Sequence, residues 1–179
     1  MPERRLETER LSLRDAVPED LTAVHAALVA SWSELTLYLQ FAQGPPPTLQ
    51  RTVEMIDDAN RSGLIIFYIF EKRTGAFIGN CWLAGLDWTI PRGEIAYWCD
   101  INQVGHGYIT EAVRAVTEFA WSLGLVRIEL RCDARNLRSQ AVAERAGYVL
   151  EGILRNESRT PQGALRDTCL FAQVVATST

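Results

Sequence analysis

The stretch from Glu94 to Asp133 constrains this chain more than any other. Ile109, Ala112, Val113, Val116, Phe119, Ala120 and Leu123 fall at i, i+3, i+4, i+7, i+10, i+11 and i+14, so one face of a helix is apolar, and Gly124 ends it. The flanking segments have a different period. Glu94 to Ile101 reads as a strand, and beyond the helix Val126, Ile128, Leu130 and Cys132 alternate with Arg127, Glu129, Arg131 and Asp133. A strand, a helical crossover and a second strand imply a parallel pair in one sheet. The loop Ile101 to Thr110, with glycines at Gly105 and Gly107, then lies between a strand end and a helix N-terminus.

Other segments extend that sheet. Leu11 to Arg14 alternates as a strand, and Leu21, Val24, Leu28, Trp32 and Leu35 recur at helical spacing, with a break allowed near Ser31. Pro45 to Pro47 forbid continuation. A second helix runs from Leu49 to about Gly63, with Thr48 as its cap. Leu64 to Phe70 is an almost unbroken apolar run of β-formers, as expected of a strand buried on both faces. With Phe77 to Leu86 and Glu94 to Ile101 it forms an antiparallel meander. A short helix from Leu137 to Ala146 stops at Gly147, and Tyr148 to Leu154 and Leu165 to Val174 pair as a hairpin around Pro161 to Gly163. At 179 residues and 47% hydrophobic content, with no repeat or linker, the expectation is one mixed α/β domain spanning residues 1–179.

Composition removes several chemistries. Lys72 is the only lysine, which disfavours Walker-type phosphate loops and Schiff-base catalysis. The net charge of -4 gives no sign of a nucleic-acid partner. His25 and His106 are the only histidines, and Cys81, Cys99, Cys132 and Cys169 are dispersed, so no metal-ligand spacing exists and reduced thiols in a cytoplasmic protein are expected. There is no apolar leader and no run of about 18 apolar residues, so neither secretion nor a membrane partner is expected.

The glycine loop is the part that speaks of a ligand. Gly105 and Gly107 let the backbone approach a bound group, and the unpaired amides and dipole of the following helix favour phosphate. A G-x-G turn can also serve only to shorten a loop, and the spacing alone leaves both readings open. A Walker loop needs Lys-Ser/Thr where Tyr108-Ile109 stands. A dinucleotide fingerprint needs a small residue where Thr110 stands, although Asp133 does end the next strand.

Several short motifs occur in a fixed order. They are Leu6 to Arg14, Glu94-Ile-Ala-Tyr-Trp98, Gly105-His-Gly-Tyr108 running into Thr110-Glu-Ala-Val113, Arg131-Cys-Asp133, Asn136-x-x-Ser139, Ala146-Gly-Tyr148 with Glu151-Gly152, and Gly163-x-x-Arg-Asp167. Together they resemble the GNAT superfamily of N-acetyltransferases, within it the RimJ/RimL-like branch that acetylates the N-terminal alanine or serine of ribosomal proteins. The resemblance implies a mostly antiparallel twisted sheet with one parallel pair, helices on both faces and acetyl-CoA as co-substrate without a metal. It also implies that Val104, Gly105, His106, Gly107, Tyr108 and Ile109 cradle the pyrophosphate, and that the backbone of Trp98, Cys99 and Ile101 lines the pantetheine, with an amide near Cys99 polarising the thioester. Two departures stand out: Val104 replaces the Arg or Gln, and Ile109 the Gly or Ala, of many members. Many members also carry a tyrosine acid on the last helix where Ala143 stands; in the ribosomal branch that duty carries over to Ser139.

Amine acetylation needs a neutral nucleophile and a proton for the leaving thiolate. An α-amine has a pKa of about 8 against about 10.4 for lysine, so an N-terminal acceptor needs less help from a base. Glu94, on a strand that borders the acceptor cleft in the resemblance, is the candidate base, acting through water; its alternative is an ion pair with Arg92 or Arg131. Ser139 is the candidate proton donor. Asn136 either holds the pantetheine or only caps its helix. Trp82, Trp88, Trp98 and Trp121 read as core before cleft. The expected activity is acetyl transfer to a primary amine, foremost a protein N-terminus; the alternatives are a small-molecule acceptor or a CoA-binding regulator without turnover. Oligomeric state is left open, a homodimer included.

Overall fold

The computed structural model describes residues 4–175; the first three residues of the N-terminal segment and the last four of the expected 1–179 domain lie outside the described residues. The elements are β1 (Arg5–Glu7), β2 (Leu11–Arg14), α1 (Leu21–Tyr38), α2 (Leu49–Arg61), β3 (Ile65–Glu71), β4 (Phe77–Asp87), β5 (Arg92–Cys99), α3 (Tyr108–Ser122), β6 (Arg127–Asp133), α4 (Leu137–Ala146), β7 (Val149–Arg159) and β8 (Leu165–Val174). They build one eight-stranded sheet in the order β1-β2-β3-β4-β5-β6-β8-β7. Every pairing is antiparallel except β5 with β6, the parallel pair created by the α3 crossover. Among the described residues, no helix is long and apolar enough to cross a membrane.

The unbroken apolar run at β3 has the meaning expected of it. Phe67 and Ile69 face α3 and α4 in one core with Leu11, Leu13, Leu83, Ile95, Val113, Val116 and Phe171, while Ile66, Tyr68 and Phe70 face α1 in a second core with Val24, Leu28, Trp32 and Leu35. A strand covered by helices on both sides must be apolar at odd and even positions alike. The α2 cap is also as read, with Thr48 Oγ1 accepting from Arg51 N at 3.2 Å.

The structure departs from the sequence expectation in four places. α1 runs unbroken through Ser31, which is buried; its hydroxyl accepts from Ile101 N at 2.9 Å, so a polar residue on the helix serves a distant loop. β5 ends at Cys99 rather than Ile101, because Asp100 turns the chain and accepts from Asn102 N at 3.0 Å over a single 3-10 turn, Ile101–Gln103. β7 continues to Arg159, five residues past Leu154, its apolar pattern ending long before its pairing with β8. β1 was not anticipated, for it is a three-residue edge strand without an apolar pattern.

Candidate active site

β5 and β6 pair only from Arg92↔Arg127 to Ile95↔Leu130, and beyond Ile95 they diverge. Asp100 N donates to Ile78 O of β4 at 2.8 Å, so strand alternation turns the amides of Tyr97 and Cys99 the other way, into the gap. The gap is the floor of a cleft of about 1210 Å³ that runs from the glycine loop to the end of α1. That exceeds the roughly 300–1,000 Å³ of a site for one drug-sized ligand, leaving room for a long ligand and a second reactant. Glu34, Tyr38 and Gln40 form its far wall, held across the sheet by Gln162 Nε2 to Thr36 O at 2.6 Å and Arg166 Nη1 to Tyr38 O at 3.0 Å. That wall comes from the end of α1 and the two residues after it; no residue of α2 lines the cleft.

At the other end, Gly105 and Gly107 both take left-handed dihedrals, φ 86° and 76°, and Gly107 is the N-cap of α3. Only glycine adopts these without strain. The first bond of the helix is Glu111 N to Gly107 O at 3.1 Å; among the described residues, the amides from Val104 to Thr110 donate to no protein acceptor. Unsatisfied donors at the positive end of a helix dipole suit phosphate. Ile109 turns its side chain into the core, 7% exposed, so its bulk leaves the cradle open and its amide is what the cleft receives. Val104 is exposed on the rim. His106 is likewise on the rim, its ring stacked on Tyr108 with centroids 5.5 Å apart, so no catalytic geometry attaches to its imidazole.

Arg10, from the turn between β1 and β2, braces the loop. Its Nη1 donates to His106 O at 3.0 Å, its guanidinium lies 4.7 Å from the Tyr108 ring centroid, and it pairs with Glu111 at 2.6 Å. Burial pushes the Glu111 carboxyl up, but donors from Thr8 and Arg10 outweigh it and hold the group below the usual glutamate range. Sequence reading missed this brace, for nothing local links residues 101 positions apart.

The candidate proton-transfer residues come to the diverging strands from opposite sides. Glu94 shares a face with Trp98, which packs in the α1 core; Tyr97 and Cys99 face the α3 side, where Ser139 lies in the first turn of α4. Burial pushes the Glu94 carboxyl above its ordinary range, with Arg131 opposing and Glu129 and Glu157 adding to the rise. The expected Arg131 ion pair exists but is long, 3.8 Å, since Arg131 is nearer Glu129 at 3.0 Å and Glu157 at 3.3 Å. Ser139 Oγ lies 2.7 Å from the Tyr97 hydroxyl. Asn136 Oδ1 accepts from Ser139 N at 3.1 Å, so the capping role is present. The Trp98 side chain is core, 6% exposed, leaving its backbone for the cleft. Burial raises the Cys99 thiol to about 12 and the Cys132 thiol to about 11, which keeps both protonated at neutral pH and excludes a thiolate nucleophile.

Residues 10–149 match the model of the acetyltransferase (GNAT) domain. An uncharacterised N-acetyltransferase of Bacillus licheniformis, p20, is 31% identical over 172 residues, 93% of this chain and 94% of that protein. The ribosomal-protein-serine acetyltransferase of Escherichia coli is 35% identical over 147 residues, 81% and 80% of the two chains. The solved structure of RimL, a ribosomal L7/L12 α-N-protein acetyltransferase in complex with coenzyme A, superposes with a TM-score of 0.83 at 20% identity, covering 96% of this chain and 98% of that one.

Proposed function

The chain belongs to the GNAT acetyltransferase family and is an acetyl-CoA-dependent N-acetyltransferase, and on that premise we propose that its acceptor is the α-amine of a protein N-terminus. The observation that carries this reading is the placement of Glu94. A half-buried carboxyl with a raised pKa, on the acceptor face of the diverging strands, is a moderate base. It suits an amine of pKa about 8 better than a lysine amine of about 10.4. The relatedness to a ribosomal-protein-serine acetyltransferase points the same way.

In this reading residues 1–179 act as one acetyltransferase unit. The amides of Val104 to Ile109 hold the pyrophosphate of acetyl-CoA, and Ile101, Cys99 and Trp98 offer backbone to its pantetheine arm. The Cys99 amide points into the gap, where it can donate to the thioester oxygen as charge develops. Glu94, through a water, takes the proton that the attacking amine loses. Ser139, on the opposite side, supplies a proton to the departing sulfur, and Asn136 keeps Ser139 at the first turn of α4.

The test is a comparison of acceptors with acetyl-CoA consumption as readout and mass spectrometry to locate the acetyl group. Peptides beginning in serine or alanine are expected to be acetylated at the α-amine, and the same peptides with a blocked N-terminus and an internal lysine are not. Faster turnover of polyamines or aminoglycosides would replace the proposal with a small-molecule acceptor. Tight CoA binding with no acetylation of any amine would leave a regulatory binder.

A further inference from the structure

We propose that Tyr97 is a positioning residue for acetyl transfer, fixing the Ser139 hydroxyl so that its proton points into the gap between β5 and β6. The inference rests on the reading of Ser139 as proton donor and adds a second residue to that step. Tyr97 stands two residues past Ile95, the last β5 residue paired with β6, and its hydroxyl reaches Ser139 on α4. Its hydroxyl lies 2.7 Å from Ser139 Oγ and 3.4 Å from Ser139 O. The contact joins the strand that lines the acyl site to the helix that carries the donor.

A serine hydroxyl has one proton and two lone pairs, and without a partner it rotates among rotamers. On the first turn of a helix, one of those rotamers turns the proton back toward the backbone. In the proposed arrangement the phenol of Tyr97 donates and Ser139 Oγ accepts, a direction the 2.7 Å separation allows. The Ser139 proton is thereby left for another acceptor. Ser139 and Cys132, which lies on the other strand of the gap, both line the cleft, so the serine is open to the gap.

The step balances without a further reactant. The amine nitrogen bonds to the acyl carbon and the C–S bond breaks with its electron pair going to sulfur. Sulfur takes the proton from Ser139 Oγ. The proton lost by the amine reaches Glu94 through water and returns through solvent to Ser139. While the serine oxygen carries the developing negative charge, the hydrogen bond from Tyr97 becomes charge-assisted and strengthens, so it lowers the barrier more than it aids binding.

The experiment measures kcat and the KM for acetyl-CoA in Tyr97→Phe, Ser139→Ala and the double variant, with thermal melts as a check on folding. Tyr97→Phe is expected to lower kcat by about tenfold to a hundredfold, the range for one charge-assisted hydrogen bond, with KM within about twofold. Ser139→Ala is expected to lose more, and the double variant no more than Ser139→Ala alone, because Tyr97 acts only through the serine. Replacing Tyr97 with 3-fluorotyrosine keeps the donor and is expected to restore kcat. That rescue separates the hydroxyl from any effect of altered packing. If Ser139→Ala loses activity while Tyr97→Phe does not, or if the double loss is the product of the two, the role of Tyr97 is refuted and that of Ser139 stands. If Ser139→Ala is fully active, the reading of Ser139 fails and this inference with it.

Discussion

Arg10 and Glu111, 101 residues apart in sequence, meet at 2.6 Å beside the phosphate loop, and the same guanidinium holds the His106 carbonyl and the Tyr108 ring. The loop opens on Val104, which brings no charge to it, and its left-handed glycines make it intrinsically loose. A brace from the β1–β2 turn gives it one conformation before a ligand arrives, and preorganisation of this kind appears in affinity.

Arg10→Ala is accordingly expected to raise the KM for acetyl-CoA about tenfold while kcat stays within about twofold, which corresponds to about 1.4 kcal/mol of uniform binding. The Arg10 side chain is 43% exposed, so the loss of stability stays below about 1 kcal/mol. Glu111→Gln should weaken the fold at neutral pH. Because the folded Glu111 pKa is depressed, its contribution exists above the unfolded pKa and disappears as pH falls through the folded one. An unchanged KM in Arg10→Ala, measured by steady-state kinetics, would remove the brace from ligand binding.

Glu94 has the opposite sign. Its folded pKa is raised, so the neutral carboxyl is the form the fold prefers, and ionisation as pH rises through the folded pKa costs stability. Glu94→Gln should raise Tm near pH 8 and leave it unchanged near pH 4, below the ordinary carboxyl value of about 4.3. The same variant should lower kcat/KM about a hundredfold and remove an acidic limb that lies above the ordinary glutamate range in the pH–rate profile. A profile identical in both proteins would exclude Glu94 as the base.

Gly107→Ala tests the loop backbone. Space is not the obstacle, since a Cβ there meets nothing nearer than Arg10 Nη2 at 3.7 Å; the left-handed φ of 76° is. The strain of about 1–2 kcal/mol should appear as a lower Tm, a higher KM for acetyl-CoA, or both. A variant equal to wild type in both measurements would mean that the loop accepts another path.

Asn136 separates capping from ligand contact. Asn136→Ala should cost about 1 kcal/mol of stability, as loss of an N-cap does. Asn136→Asp keeps the acceptor for Ser139 N and so keeps the helix, but removes the amide donor. If the side chain also holds the pantetheine arm, the aspartate variant melts like wild type and shows a raised KM for acetyl-CoA. If capping is its whole role, KM is unchanged.

What local pattern encodes, the sequence carried plainly. The α3 stripe, the β3 run buried on both faces, the Thr48 and Asn136 caps and the stop at Gly147 each depend on residues within a turn or two of one another. The loop at Gly105 and Gly107 was legible for the same reason, because a strand end, two glycines and a helix start are contiguous. Glu94 and Ser139 entered through motif resemblance, and the capping alternative for Asn136 was already visible in residue type.

The remaining features are contacts between segments that sequence separates. Ser31 looked like a weak point in α1 until the fold brought Ile101 N to its hydroxyl. The Tyr97 hydroxyl meets Ser139 only once α4 packs against β5 beyond Ile95, the Arg10 brace only once the β1–β2 turn lies beside the loop, and burial raises the Glu94 carboxyl only in the folded sheet. Periodicity and turn chemistry determined which elements form and which chemistry a G-x-G loop at a helix start can serve. Which side chains meet in the cleft, and in what protonation state, was decided by tertiary packing, because desolvation and long-range hydrogen bonds have no signature in neighbouring residues.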